Sequence, residues 1–490
     1  MYYPSKKEFI KLAKKSNVIP VYCEILADFL TPVSTFLKLK DSYSYLLESV
    51  EGEEKIARFS FIGISPSIIF RSKGSFIELV EGNKKKSFFT DSPLREIAGI
   101  MDSFRPADVK GLPRFQGGLV GYMGYDMVRF FENLPDKNPD DLKVADSIFI
   151  LADNLIIFDH STHKIKIVVN AYKGKDRIGE IYDDAVRKIE EIIGRLNRPL
   201  PKGNVGKKGR KIRTVQSNFT KKGFENSVRK AKKYIQRGDV IQVVLSQRLE
   251  TALECDPLDV YRALRSLNPS PYMYYLNFGE VKMIGSSPEL LVRCERKLVE
   301  TRPIAGTRPR GKDEIEDKAL ERELLNDAKE RAEHVMLVDL GRNDIGRVSS
   351  PGSVKVDEFM FVEKYSHVMH IVSNCVGQLA KGKDAYDVLK ATFPAGTVTG
   401  APKIRAMEII DELENSKRGP YAGAVGYFSF SGNMDTCINI RTILVKKNHA
   451  FIQAGAGIVA DSIPEKEYEE TLNKAKAMIK AIEMAEEGLQ

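Results

Sequence analysis

The sequence predicts an α+β protein. Strand-like runs arrive in groups separated by groups of helices, without the regular strand–helix–strand rhythm of a doubly wound sheet. No internal repeat imposes a period on the chain.

The elements follow in order. The start, MYYPSKKEFIKLAKKSN, reads as a capped amphipathic helix and has no signal-peptide core. SFIELVEG and HKIKIVVNAY alternate as strands do. GGLVGYMGYD (Gly117 to Asp126) reads as a strand with close backbone packing. IYDDAVRKIEEIIGRL, charged at helical spacing, closes a first segment, residues 1–197. Residues 198–215 form a basic linker, and residues 216–490 a second segment. That segment opens with a helix ending at Gly238, then the strand VIQVVLSQRLE. Strands are expected at YMYYLNF, VKMIGSS, ELLVRCE and KLVETRPI, and one long helix from Glu316 to Leu340. AGAVGYFSFS, DTCINIRTILVK and AFIQAGAGIVA read as strands, and Glu465 to about Glu487 as the last helix.

Composition narrows the class. A length of 490 residues allows about three average domains, or one large and one smaller. The hydrophobic share of 42% suffices for a sizeable core. The net charge of +9 is concentrated between Arg198 and Arg213, where basic residues meet no acidic one. With Gly and Pro among them, this is a solvated linker. Nucleic-acid binding is the competing reading, and no interleaved aromatics or known binding motif supports it. The five cysteines are widely spaced with no CxxC pair, which argues against a disulfide framework or structural zinc and fits a reducing cytoplasm. The best apolar stretch, Ser147 to Phe158, is interrupted by Asp153 and Asn154 and is too short to span a bilayer.

Carboxylates point to the chemistry. Glu330 and Glu333 are three apart on a helix and share a face; Glu467 and Glu470 repeat the spacing. Two such helices can build a hard-cation site for Mg2+, although a lone pair of this kind is ordinarily a solvated helix face. Unusual neighbours strengthen the metal reading. PIAGTRPRG (Pro303 to Gly311) reads as a Gly- and Arg-rich turn, and DLGRND (Asp339 to Asp344) as a polar cluster at a helix end. FPAGTVTGAPKIRAMEII (Phe393 to Ile410) is a Gly/Thr loop opening a helix, where backbone N–H groups can meet an anion. QAGAGIVADS (Gln453 to Ser462) precedes the second carboxylate pair. Together they suit a small, multiply carboxylated substrate bridged to Mg2+. His367 and His370, three apart, are catalytic or core histidines.

At these motifs, and at YSHVMHIVS, YAGAVGYFS, DTCINIRT and EYEETLNKA, the sequence resembles the chorismate-utilising enzymes, most closely their anthranilate synthase component I members. The motifs run in family order through residues 216 to 485. The resemblance implies large antiparallel sheets surrounded by helices. It implies Glu333 and Glu470 as direct Mg2+ ligands, with Glu330 and Glu467 acting through water. It implies Gly306, Thr307, Tyr421, Arg441, Gly455, Ala456, Gly457 and Lys474 as chorismate contacts. Thr307 joins His370, the histidine of the elimination step, and Glu289, the acid for the departing C4 hydroxyl, as catalytic residues.

Two positions discriminate within the family. Relatives that add water carry a lysine base where this sequence has Gln242, and an amide cannot deprotonate water, so ammonia is the expected nucleophile. The aminodeoxychorismate synthases, the alternative reading, carry a nucleophilic lysine where this sequence has Ala305. LLESVEG (Leu46 to Gly52) and NPSPYMYY (Asn268 to Tyr275) resemble a tryptophan-feedback site, implying Ser49, Pro271, Tyr272 and Met273 as inhibitor contacts. No cysteine lies in a Gly-x-Cys-x-Gly turn, so ammonia from glutamine requires a separate amidotransferase subunit. A basic nucleic-acid-binding or scaffold protein is the reading of another class. The expected setting is cytoplasmic, with neither membrane nor nucleic acid as a partner.

Overall fold

The computed structural model describes residues 1–49, 58–174, 176–200, 214–365 and 368–489. Most of the basic linker and His367 lie outside them. Among the described residues two antiparallel sheets, of 13 and 12 strands, carry the fold, with helices packed around them. No described helix is long and apolar enough to cross a membrane.

Strands from either side of residues 198–215 are woven into both sheets. Tyr43–Glu48 pairs with Tyr272–Phe278 in the larger sheet, and Gly118–Met123 with Ala424–Ser429 in the smaller. Side-chain alternation explains how the sheets stack. In Gly118–Met123, Val120 and Tyr122 join the core cluster shared with the larger sheet; Leu119 and Met123 join a second cluster with the Pro93–Asp102 and Ala385–Thr392 helices. The neighbouring Ser147–Leu151 strand divides likewise, Ile148 and Ile150 one way, Phe149 and Leu151 the other. A strand buried on both faces reads as a continuous apolar run. Burying each such side chain contributes about 1.5–3 kcal/mol.

The N-terminal helix is Lys6–Leu12, with Ser5 and Glu8 forming a capping box. The Ser147 to Phe158 stretch is two strands that part around Asp153, whose carboxylate accepts bonds from Ser67.

Two expectations change in the second segment. The single helix from Glu316 to Leu340 is instead two, Glu314–Asn326 and Ala328–Gly346. Asp327 divides them, because its side chain accepts from the backbone N–H groups of Lys329 and Glu330 and so caps the second helix. The turn expected at Pro303 to Gly311 contains a strand, Ile304–Pro309, bulged between Ala305 and Thr307. Gly306 sits in the bulge at φ +71, a conformation glycine adopts without strain.

Candidate active site

One cavity of about 670 Å3 collects the carboxylate, glycine and cation motifs. It lies between the bulged Ile304–Pro309 strand and its neighbour Val368–Gln378 of the smaller sheet, and the paired Gln242–Ala252 and His449–Ile458 strands of the larger. The Ala328–Gly346 and Pro464–Glu487 helices bring their carboxylates to the same space.

Glu330, Glu333, Glu467 and Glu470 all line it, the spacing of three having put each pair on one helical face. Burial and the charge of Glu330 raise Glu333 above the usual carboxylate range; an amide hydrogen bond from Gln242 opposes the rise. Burial and the charge of Glu470 likewise raise Glu467, opposed by a bond from Ser462. A cation between the two pairs would relieve this repulsion. Among the described residues no three Asp, Glu, His or Cys side chains form a closed metal shell. The donor set fits Mg2+, which keeps waters and uses one or two protein carboxylates.

Cations stand beside them. Lys474 pairs with Glu470 at 2.7 Å and donates to the Gly455 carbonyl at 2.9 Å. Arg441 lines the cavity from the link between the Met434–Ile438 and Thr442–Lys446 strands, at φ +51. A non-glycine residue in that region marks a constrained position of the kind found at functional sites. Burial lowers its pKa.

The glycines make room. A Cβ on Gly455 would stand 2.7 Å from the Tyr421 hydroxyl, and one on Gly457 would overlap the Gln242 amide. Strand alternation turns Ala456 the other way. It lies fully buried among apolar residues of the Lys221–Gln236 and Lys403–Leu413 helices, so its side chain faces away from the cavity.

Two groups suit proton transfer. Glu289 is buried, and desolvation pushes its carboxyl up to about 8 against the opposing effects of Thr397 and Lys474. His370 Nδ1 lies 2.9 Å from the Gly306 carbonyl and 3.1 Å from Thr307 Oγ1. The tautomer protonated at Nδ1 donates to that carbonyl and leaves Nε2 to accept a proton. Burial lowers the His370 pKa.

The Gly/Thr loop opens a helix. Its cavity-lining residues are Thr397 and Val398, and the helix begins at Lys403 after Pro402. The DLGRND cluster lies in the last turns of the Ala328–Gly346 helix, where Asp344 pairs with Lys403 at 2.6 Å. Sequence reasoning gave no role to Lys329, Thr397 or Gln453, which line the cavity. Single polar residues on a helix, a loop and a strand carry no distinguishing spacing.

A second cavity, of about 1620 Å3, is bordered by Ser49, Pro271, Tyr272 and Met273. Strand register brings the two segments of sequence together, with Met273 opposite Glu48. Tyr272 donates to Asp435 at 3.0 Å. Pro271 borders both cavities.

Known proteins share this chain from end to end. The model of the chorismate binding enzymes matches residues 42–480. Anthranilate synthase component 1 of Aquifex aeolicus is 55% identical, over 99% of this chain and 98% of its own length. That of Acetivibrio thermocellus is 51% identical, over 99% and 100%. The crystal structure of anthranilate synthase component I from Streptococcus pneumoniae superposes with a TM-score of 0.78 at 38% identity, covering 93% of this chain and 98% of that one. The menaquinone-specific isochorismate synthase of Escherichia coli, at 20% identity, shares the fold with a TM-score of 0.71. The chain belongs to the chorismate-binding enzymes, in their anthranilate synthase component 1 family.

Proposed function

We propose that the protein converts chorismate and ammonia to anthranilate and pyruvate, with Mg2+ bound at its two carboxylate pairs. The observation that carries this reading is the single cavity joining those pairs to Lys474, Arg441, His370 and the buried Glu289.

Glu333 and Glu470 would hold the ion directly, with Glu330 and Glu467 reaching it through water. When bound, Mg2+ clamps the ring carboxylate and draws electron density from the ring as a Lewis acid. Arg441 and Lys474 hold the enolpyruvyl carboxylate by charge-assisted hydrogen bonds. Ammonia attacks C2 as the C4–O bond breaks, and Glu289, protonated at neutral pH, delivers its proton so that water departs rather than hydroxide. His370 then takes the C2 proton, the C3–O bond breaks, and pyruvate leaves as the ring becomes aromatic. Thr307 and the Gly306 carbonyl orient the imidazole. Gln242 offers only an amide, which favours ammonia over water, and Ala305 provides no nucleophile for amination at C4.

Ammonia comes from a separate glutamine amidotransferase subunit, and L-tryptophan, bound in the second cavity, acts as feedback inhibitor. The test is the purified chain with chorismate, Mg2+ and ammonium at alkaline pH. Equal anthranilate and pyruvate, both lost on chelation, support the reading. Chorismate consumed without pyruvate would instead identify an amination-only relative.

A further inference from the structure

Beneath the active cavity lies an ion pair sealed from solvent. Arg418 is 2% exposed and Glu414 6%. Arg418 Nε donates to one carboxylate oxygen of Glu414 at 2.9 Å, and a terminal nitrogen to the other at 2.6 Å. The Glu414 carboxylate also accepts from the backbone N–H and hydroxyl of Ser246, both at 2.8 Å. Burying a charged pair costs several kcal/mol per ion, and it persists where hydrogen bonds satisfy its remaining donors and acceptors.

The remaining donors of Arg418 reach the walls of the active cavity. One terminal nitrogen donates to the Val398 carbonyl at 2.7 Å, the other to the Val244 carbonyl at 2.8 Å. The guanidinium also sits 5.5 Å from the ring centre of Tyr421 and 4.9 Å from that of Tyr125, within range of cation–π attraction to both. Val244, Val398 and Tyr421 belong to three separate segments, and all line the cavity. Thr397, adjacent to Val398, lines the cavity with Glu289 and opposes the rise of its carboxyl pKa.

We propose that the buried Arg418–Glu414 pair is the positioning device of the active site, fixing the Val244 strand, the Thr397–Val398 loop and Tyr421 in one arrangement so that Glu289 is aimed at the departing hydroxyl. This rests on the reaction proposed above. Arg418 touches no substrate and is a positioning residue, not a catalytic one. Its planar fork spans four oxygens and two rings at once, and a lysine ammonium cannot reproduce that. Lys474, one of the cations assigned to substrate carboxylate, is held by Glu470 and the Gly455 carbonyl instead, so its grip on the substrate does not run through the pair.

The test compares R418K with the unaltered chain, measuring kcat and chorismate KM per folded molecule, with folding followed by circular dichroism. E414D provides a second variant, in which both charges remain and the carboxylate withdraws by one methylene. The expected result is a kcat at least 30-fold lower in each folded variant, with KM within fivefold. A folded variant whose kcat stays within threefold overturns the proposal. So does activity that falls only in proportion to the folded fraction, which would make the pair purely structural. An unaltered chain that forms no anthranilate refutes the proposed reaction instead, before either variant is compared.

Discussion

The imidazole Nδ1 of His370 lies 2.9 Å from the carbonyl oxygen of Gly306, at the bulge of the neighbouring strand. The bulge turns a backbone carbonyl toward the ring and thereby selects the tautomer whose Nε2 is basic. Gly306 meets the φ of +71 this requires, and a Cβ there would crowd Leu324 and Glu330.

Replacing His370 by Ala should separate the two halves of the reaction. Chorismate consumption should persist while pyruvate release slows by about 100-fold or more. Product analysis by chromatography would reveal an aminated, enolpyruvyl-bearing intermediate. Burial lowers the His370 pKa, so the neutral base is retained as pH falls through the ordinary histidine range. The acid limb of kcat should therefore lie below pH 6.5, the ordinary value. A limb above it would remove His370 from the role of base.

Glu289 places activity and stability in opposition. Its carboxyl is raised to about 8 by burial, against an ordinary value of 4.5. The stability this group contributes is complete below the ordinary value and is lost as pH rises through about 8, because the unfolded chain releases the proton first. E289Q is neutral at every pH and avoids that loss. At pH 7 the variant should be more stable by on the order of 3 kcal/mol while turning over about 100- to 10,000-fold more slowly. Thermal unfolding and initial rates check both. At constant free ammonia, the unaltered chain should lose activity as pH rises through about 8.

Much of the site is legible in the sequence because its chemistry has a period. Glu330 with Glu333, and Glu467 with Glu470, share faces by helical spacing, and the alternating strands mark both sheets. Alternation also turns the Ala456 side chain away from the cavity that its neighbours Gly455 and Gly457 line. What stays illegible depends on tertiary contact. Asp327 ends one helix and caps the next through side-chain bonds that an uninterrupted helical pattern conceals. No local pattern marks Arg418 as buried, because two of the acceptors that satisfy it come from residues 244 and 398. The strand pairing of Glu48 with Met273 joins positions more than 200 residues apart, which no local pattern encodes.

The carboxylate pairs predict a metal response that can be read apart from turnover. Glu333 and Glu467 are raised by burial and by their neighbouring carboxylates, so a cation should relieve the repulsion and stabilise the fold. Mg2+ should raise the melting temperature, and E330Q should weaken that response by about 10- to 100-fold in Mg2+ concentration, as removal of a water-mediated partner does. E333Q should weaken it further. Because both groups take up protons above the usual carboxylate range, Mg2+ affinity should already decline on mild acidification. An unchanged Mg2+ titration in both variants would place the ion elsewhere.

The second cavity predicts an inhibitor whose binding the chain itself makes easy to observe. The sequence contains no Trp, so a bound tryptophan is the only indole present. Excitation beyond the tyrosine band then reports the ligand alone, through a rise in its fluorescence anisotropy. Tyr272 and Met273 border this cavity on a strand that pairs with the one ending just before Ser49, and Pro271, which precedes Tyr272, also borders the active cavity. A ligand that favours one placement of Pro271 must be disfavoured when chorismate favours another, and the coupling is reciprocal. Tryptophan should raise the chorismate concentration needed for half-saturation, and chorismate should weaken tryptophan binding by the same factor. Removing the Ser49 hydroxyl in S49A should weaken tryptophan binding about tenfold or more if it bonds a charged group of the ligand. If anisotropy stays at the free-ligand value at millimolar tryptophan, the cavity does not take this ligand. Binding without any change in chorismate saturation would leave the ligand in place and remove Pro271 as the link between the cavities.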